Sequence, residues 1–170
     1  MIYTKVDPQG IDKQIQRIQQ FLYDKLNSVY SGEIYSYGRV YKNETENGVR
    51  PLFYVGNKDY EELTINDTIN GLHYFFVEDD KSEISDRVCI SSNEVDIIFI
   101  IDDITKIRGD ISHYADEEIK ETIKSYVQGL NFSLTSVTKG KKALDGFDIS
   151  KTKFIFPYFV FKLTGTINNY

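Results

Sequence analysis

The sequence predicts an α+β domain in which a mostly antiparallel sheet is flanked by helices. Three observations carry this prediction: an amphipathic helical pattern near the start, a series of short apolar or alternating runs, and a second helical pattern at about 114–128. A chain of 170 residues suits one domain with one core, so we predict a single domain over 1–170.

The first helix is predicted from apolar residues that recur at steps of three and four positions. Asp7 is a suitable N-cap and Pro8 suits the first turn, so the helix is expected to begin near position 8. Ser31-Gly32 is expected to end it after roughly six turns. The apolar positions are Ile11, Ile15, Ile18, Leu22, Leu26 and Val29.

A hairpin is predicted next. The runs 32–41 and 49–56 are rich in Tyr, Val and Ile, and a polar turn at 42–48 containing Asn-Gly joins them. Pro51 cannot donate a hydrogen bond to a neighbouring strand, so it is expected near a strand start or on an edge. The polar stretch 57–72 carries turn signals and is expected to form a loop.

The remaining elements follow from local pattern. Acidic residues in the first turn and Gly129 at the end support the second helix. The predicted order is a strand at 73–79, a solvated loop at 81–87, strand segments at 87–92 and 95–102, the helix at 114–128, a strand at 131–139, a loop carrying Gly140 and Gly146, and closing strands within 153–167.

The segment SNEVDIIFIIDDI at 92–104 resembles a buried strand that delivers Asp102 and Asp103 to an active site. In a nucleotide hydrolase such a strand accompanies a phosphate-binding loop of the form G-x-x-x-x-G-K-[ST]. The Gly-Lys pair in this chain, Gly140-Lys141, has Thr135 in place of the first glycine and Lys142 in place of Ser or Thr. Nucleotide hydrolysis is therefore disfavoured.

A metal site is the second possibility for these carboxylates, because hard cations bind clustered oxygen ligands. Asp102 and Asp103 would have to join Glu78, Asp79 or Asp80. Adjacent strand residues point to opposite faces, so the two aspartates would not converge without a turn. We therefore favour a core strand that the aspartates end.

Other catalytic patterns are weak in this sequence. His73 and His113 are the two histidines, and neither has a metal-ligand partner at helical spacing, so both are expected to be loop or helix-start residues. The single cysteine, Cys89, excludes an intrachain disulfide and lies in RVCIS, where a strand would bury it. The sequence thus predicts no catalytic, cofactor-binding or metal-binding residue, and no enzyme.

Charge and aromatic content indicate the kind of partner. The net charge is -6, which disfavours primary duplex binding, and the basic cluster at 139–142 is short. The chain has 13 Tyr and 11 Phe but no Trp, more than one core of this size readily holds. Tyrosine suits subunit interfaces. The start of the chain does not resemble a signal peptide, and the apolar run 154–161 is too short to span a bilayer, so synthesis in the cytoplasm is expected.

The element order resembles the tail-terminator and neck-protein fold of tailed bacteriophages. In this chain the resemblance consists of the long first helix, a strand pair with the Arg-Pro segment at 49–52, a hydrophobic central strand, the helix at 114–128 and closing strands. The Ile-, Asn-, Lys- and Tyr-rich composition is similar to that of gut Bacteroidetes phages, including crAss-like phages. The segments 57–72 and 79–94 are longer than in the simplest members.

The resemblance implies a structural virion protein, made in the host cytoplasm, that forms a closed ring in the phage neck or tail, commonly of six or twelve copies. Its implied partners are further copies of itself and adjacent portal, connector or tail proteins. DNA would pass through the ring without specific binding, and an acidic lumen would keep it mobile. The hairpin at 33–55 and the run 154–161 are the expected contact surfaces. Two alternatives stay open: a small metal-dependent enzyme, and a monomeric module that binds a host protein.

Overall fold

The computed structural model describes residues 1–46, 48–63, 71–85, 90–101, 115–128, 130–147 and 159–169. Its elements confirm the predicted α+β class with an N-terminal helix. In chain order they are α1 (Ile11–Val29), β1 (Ile34–Arg39), β2 (Tyr41–Thr45), β3 (Gly48–Gly56), β4 (Asp59–Glu62), β5 (Leu72–Ser85), β6 (Ile90–Ile101), α2 (Ala115–Gln128), β7 (Phe132–Lys139), a 3-10 helix (Gly140–Leu144) and β8 (Phe159–Asn169).

The strands form two sheets. The larger has five strands in the order β1-β5-β6-β8-β7, and the smaller has three in the order β2-β3-β4. β1 runs parallel to β5, and every other described pair is antiparallel. The mostly antiparallel sheet predicted from the sequence is confirmed.

The run SNEVDIIFIIDDI supplies the central strand of the larger sheet. β6 is paired on one side with β5 and on the other with β8, and its residues 97–101 are almost fully buried. Consecutive buried residues require that both faces of the sheet be covered. The core-strand interpretation is confirmed up to Ile101, where β6 ends. Asp102 and Asp103 lie outside the described residues.

Two apolar layers cover the faces of this sheet. On one face, α1 and α2 pack against side chains of β5, β6 and β8 such as Tyr74, Phe99 and Phe161. On the other face, Phe53 of the smaller sheet and Leu144 of the 3-10 helix belong to a second cluster. Burying one such side chain stabilises the folded state by about 1.5–3 kcal/mol relative to leaving it exposed to water. The fold therefore has a helical layer, a central sheet and a third layer made chiefly by the smaller sheet.

The predicted start of α1 is wrong by about one turn. The helix begins at Ile11, with Gly10 at the N-cap and no side-chain cap. Asp7 instead accepts a hydrogen bond from Gln9 Nε2 at 2.8 Å, so it is engaged in the segment before the helix. The predicted end is confirmed to within two residues, because the helix stops at Val29.

The predicted hairpin pairs different residues from those expected. The predicted turn at 42–48 is mostly β2, whose partner is β3, whereas β1 belongs to the larger sheet and pairs with β5. β2 is polar because it is an exposed edge strand. Pro51 lies within the central strand β3 rather than on an edge. The Pro51 carbonyl accepts a hydrogen bond from Leu63 N at 2.8 Å, just beyond the end of β4. The N–H that proline lacks would point to the same side, toward the end of the β3–β4 ladder, so no hydrogen bond within that ladder is lost.

Four further expectations differ from the structure. The predicted loop at 81–87 is strand as far as Ser85, and the segments 87–92 and 95–102 are one strand from Ile90. The polar stretch 57–72 contains β4, and the loop after β7 begins with the 3-10 helix. The predictions of α2 and β7 are confirmed. Of the closing run, 159–167 is strand and 153–158 lies outside the described residues.

Candidate functional site

Arg39, at the end of β1, is the centre of a polar cluster. Its Nε lies 2.7 Å from Asp12 Oδ1 and its Nη2 donates to Asp12 Oδ2 at 3.2 Å. Nη1 forms a second ion pair with Glu78. The three side chains are only 13–19% exposed, which strengthens their attraction relative to surface pairs. The cluster joins α1, β1 and β5.

A bulge in β1 aims Arg39 at the helix. Ser36 pairs with Tyr74 and Arg39 with Phe76, so three steps on β1 match two on β5. Gly38 occupies the bulge with φ of 66°, a left-handed conformation that glycine adopts without strain. The extra residue changes the side-chain alternation and brings Arg39 to Asp12 in the first turn of α1.

Lys5 and Tyr41 complete the cluster. Lys5 Nζ donates to Asp12 Oδ2 at 2.6 Å and to Tyr41 Oη at 3.2 Å. Arg39 also donates to Tyr41 Oη, at 2.7 Å, and its guanidinium lies 4.8 Å from the ring centre. Burial alone would lower the pKa of Lys5, but the hydrogen bonds and charges of Asp12 and Tyr41 outweigh burial and raise this pKa. The two cations and the two carboxylates, Asp12 and Glu78, balance one another.

A small pocket adjoins this cluster. Its volume of about 20 Å³ is close to the roughly 10–15 Å³ that one water molecule needs. Sites for substrates or cofactors are typically about 300–1,000 Å³. The pocket thus fits a water. Its lining is Tyr3, Lys5, Asp12, Ile15, Gln16, Gln19, Tyr37, Gly38, Arg39 and Tyr54.

His73 is a buried strand residue, which corrects the expectation of a loop or helix-start position. It is the second residue of β5 and is 1% exposed. Nδ1 lies 2.8 Å from Tyr37 Oη, and the ring stacks on Tyr35 with centroids 4.7 Å apart. Burial lowers the pKa of His73 to about 4, so it is neutral at pH 7.

Of the candidate carboxylates, Glu78 is the one whose side chain the structure describes, while Asp102 and Asp103 lie outside the described residues. Glu78 is paired with Arg39 and accepts from Asn93 Nδ2 at 2.7 Å. Ile101, the last described residue before Asp102, pairs with Leu72 of β5. Leu72 lies six residues from Glu78 along this strand, a distance of about 20 Å. Asp79 and Asp80 lie where the β5–β6 register shifts. In the part of the chain that the structure describes, no group of three His, Cys, Asp or Glu residues could hold a metal ion.

The other sequence candidates divide between described and undescribed positions. Cys89 and His113 lie outside the described residues. In the basic cluster, Lys139 ends β7, and Lys141 and Lys142 lie exposed on the 3-10 helix. A side chain at Gly146 would come within 3.9 Å of Lys42 Nζ, so β2 adds a fourth lysine to this neighbourhood.

An exposed aromatic surface lies on the smaller sheet. Tyr60 packs edge-on against Tyr41 and Tyr54, with centroids 5.4 and 5.6 Å apart. Lys5 Nζ lies 5.3 Å from the Tyr41 ring and 5.9 Å from the Tyr60 ring, and Val6, the next residue, is 96% exposed. We call Tyr41, Tyr54 and Tyr60 the tyrosine patch.

The tyrosine patch only partly matches the predicted contact surfaces. Tyr41 and Tyr54 belong to the predicted hairpin, whereas Tyr60 was missed because its polar neighbours indicated a loop. The second predicted surface, 154–161, is wrong at its described end, since Val160 and Phe161 are buried in the two apolar layers. Residues 154–158 lie outside the described residues.

Comparison of the chain with protein-family models, curated proteins and solved structures gave no match. Within the described residues, neither helix combines the length and the apolar character needed to cross a membrane.

Proposed function

We propose that the chain is a structural virion protein that forms a ring in the neck or tail of a tailed bacteriophage, as a head–tail connector or tail terminator around the DNA channel. The tyrosine patch is the observation that carries this proposal. The large apolar side chains exposed in the described part are Met1, Val6, Tyr41 and Tyr60, and the two tyrosines pack against each other in the patch. Such a concentration is typical of a protein-binding surface.

The position of the patch suits a ring. A closed ring repeats one heterologous contact between two different surfaces of the same chain. The patch lies on a small sheet that is separate from the central one, and this sheet can reach a neighbour without disturbing the helical layer. The net charge of -6 is compatible with a bore that repels DNA and leaves it mobile.

The charged residues beside the patch support a structural role for that region. Lys5, Asp12, Arg39 and Glu78 form a chain of three ion pairs that connects the N-terminal segment, α1, β1 and β5. Reciprocal pairing of this kind holds elements in a fixed relation. The polar cluster therefore helps to hold the tyrosine patch as a rigid surface, and a rigid surface loses less conformational entropy when it binds a partner.

The metal-dependent enzyme is the alternative that the carboxylates suggested. It would require Glu78, Asp79 or Asp80 to act with Asp102, yet Glu78 already neutralises Arg39. A divalent-metal-dependent activity that is lost in Asp102→Asn and kept in Glu121→Gln would favour the enzyme over the ring protein.

Sedimentation velocity of the wild type and of a Tyr41→Ser/Tyr60→Ser double variant tests the proposal. We expect the wild type to form large species at micromolar concentration and the double variant to shift to monomers. Lys141→Ser/Lys142→Ser, exposed on the 3-10 helix, is the matched control and should assemble like the wild type. Equal assembly of the tyrosine variant and the wild type would exclude the patch as the subunit contact.

A further inference from the structure

The edge strand β4 presents an aromatic ring between negative charges. It lies at one edge of the smaller sheet, it carries Tyr60 of the tyrosine patch, and all four of its residues are exposed. Glu62 lies 3.6 Å from Arg50, whereas Asp59 and Glu61 form no ion pair within the described residues. An exposed strand edge with unpaired carboxylates suits a partner that covers the edge and supplies positive charge.

The outer side of α1 carries positive charge around another aromatic ring. Arg17, Phe21 and Lys25 follow one another at steps of four residues, so their side chains form one ridge on the helix, which we call the α1 ridge. Arg17 and Lys25 are exposed and form no ion pair within the described residues. The Lys25 ammonium lies 5.5 Å from the centre of the Phe21 ring. The ridge therefore offers two unpaired cations beside a ring.

The fold leaves the α1 ridge uncovered. Phe21 is half-buried and belongs to neither apolar cluster, although Leu22, the next residue, is fully buried in the cluster beneath the helices. Asp24 is the exposed carboxylate in this part of the helix, and it accepts a hydrogen bond from Gln20 Nε2 at 3.0 Å. The two cations of the ridge outnumber this carboxylate, so the surface stays basic.

The α1 ridge and the tyrosine patch lie on different sides of the molecule. The segment 1–6, which approaches the patch through Lys5, bonds to Asp12, Gln16 and Gln19 of α1. At about 100° per residue these three residues lie on one flank of the helix, and the ridge lies on the opposite flank. The two surfaces of one copy therefore do not meet, and a contact between them joins two copies, as a heterologous contact does.

We infer that the β4 edge of one copy docks on the α1 ridge of the next copy, and that this contact repeats around the proposed ring. The inference rests on the proposed function and names the second surface that the tyrosine patch requires. In this contact Asp59 and Glu61 pair with the ridge cations, and Tyr60 packs against Phe21 of the neighbour. Cations also bind the faces of aromatic rings, as Lys5 does at Tyr60 within one chain.

The charge of the whole chain favours such a local match. At a net charge of -6, two copies repel each other at long range, so association is helped where opposite charges meet. A second basic surface, the cluster at 139–142, lies close to Lys42 of the smaller sheet itself. The α1 ridge is favoured over this cluster because Phe21 gives Tyr60 an aromatic partner.

Charge reversal on each surface, followed by mixing, tests the contact. Arg17→Glu/Lys25→Glu reverses the α1 ridge, and Asp59→Lys/Glu61→Lys reverses β4. In sedimentation velocity, each variant alone should need at least about tenfold more protein than the wild type to assemble, because like charges then face each other. An equal mixture of the two variants should assemble again, since each basic surface then meets an acidic one.

Lys141→Glu/Lys142→Glu is the matched control. It changes the net charge by the same amount as the ridge variant, but its two positions lie exposed on the 3-10 helix. The control should assemble like the wild type. Wild-type assembly of either reversed variant alone, a mixture that stays unassembled, or an equal loss in the control would overturn the contact.

The outcomes separate this contact from the ring itself. Rings that form equally in the wild type and in the ridge variant leave the ring in place and exclude the α1 ridge as its contact. A wild type that stays monomeric contradicts the ring protein, and the contact with it.

A salt titration of the wild type covers the case in which a reversed variant does not fold, which circular dichroism detects. Raising NaCl from about 50 mM to about 500 mM should increase the protein concentration needed for assembly roughly tenfold, because salt screens the paired charges. Assembly that is insensitive to salt would contradict a contact between β4 and the α1 ridge.

Discussion

Arg39 and Asp12 form a two-point ion pair that joins the end of β1 to the first turn of α1. Nε lies 2.7 Å from Oδ1, and Nη2 donates to Oδ2 at 3.2 Å. The hydrogen bond from Nη2 gives the pair its direction, and the close Nε–Oδ1 contact adds charge attraction. The pair exists because the bulge at Gly38 turns Arg39 toward the helix, so a local backbone feature determines a long-range contact.

Removing Arg39 should be more destabilising than removing a surface cation. Arg39→Ala leaves Asp12 and Glu78 partly buried without their shared partner, and we expect a loss of about 2–3 kcal/mol in the free energy of unfolding. Lys124→Ala is the control, because solvent screens its pair with the exposed Glu121 and its loss should change the stability little. Urea denaturation measures both, and equal losses would contradict a structural role for the Arg39 cluster.

Gly38→Ala should be destabilising for two separable reasons. The backbone at Gly38 is left-handed, with φ of 66°, a conformation that is strained for a residue with a Cβ. The added Cβ would also lie 3.3 Å from Gln19 Oε1. Gly140 has nearly the same φ, 65°, and open space around it. We expect a loss of about 1 kcal/mol for Gly140→Ala and about 2 kcal/mol for Gly38→Ala by thermal or urea unfolding. A difference near zero would mean that Gln19 moves aside at no cost.

His73 should make the wild type less stable in acid. The unfolded state binds a proton near pH 6.5 and the folded state only near pH 4, so stability is lost as the pH falls through this window. The full loss is about 3 kcal/mol at pH values below both. Urea midpoints of the wild type and His73→Phe should therefore converge or cross as the pH is lowered from 7 to 4. Parallel curves would show that His73 does not take up the proton.

Tyr41 and Tyr60 should matter more for assembly than for folding. Both are more than one third exposed, so replacing them with Ser removes little buried area. We expect the Tyr41→Ser/Tyr60→Ser variant to lose about 1–2 kcal/mol, because the Tyr41 hydroxyl accepts hydrogen bonds from Lys5 and Arg39, but to stay folded while losing its assemblies. Matched circular dichroism and light scattering on one preparation separate the two effects. Loss of folding along with assembly would show that the tyrosines are structural.

Elements with a strong local pattern could be predicted from the sequence. The spacing from Ile11 to Val29 determines α1, and the run Ile97–Ile101 determines a strand covered on both faces. β2 was missed because its residues, Tyr41–Thr45, are polar, and a polar edge strand has the composition of a turn.

The polar cluster could not be predicted because its contacts are distant in sequence. Arg39 meets Glu78 only because β1 pairs in parallel with β5, across 39 residues. His73 did leave a signal, since it alternates with Phe75 and Val77 on one face of an apolar strand. That position indicates a buried histidine, although not its bond to Tyr37.

Mass photometry of the purified wild-type chain at micromolar concentration, with negative-stain images of the same sample, tests the ring most directly. For a chain of 19.7 kDa, six or twelve copies would give species of about 118 or 236 kDa. A ring protein should show one such defined mass and closed rings with a central opening. A monomer at every concentration, or open aggregates without a fixed copy number, would contradict it.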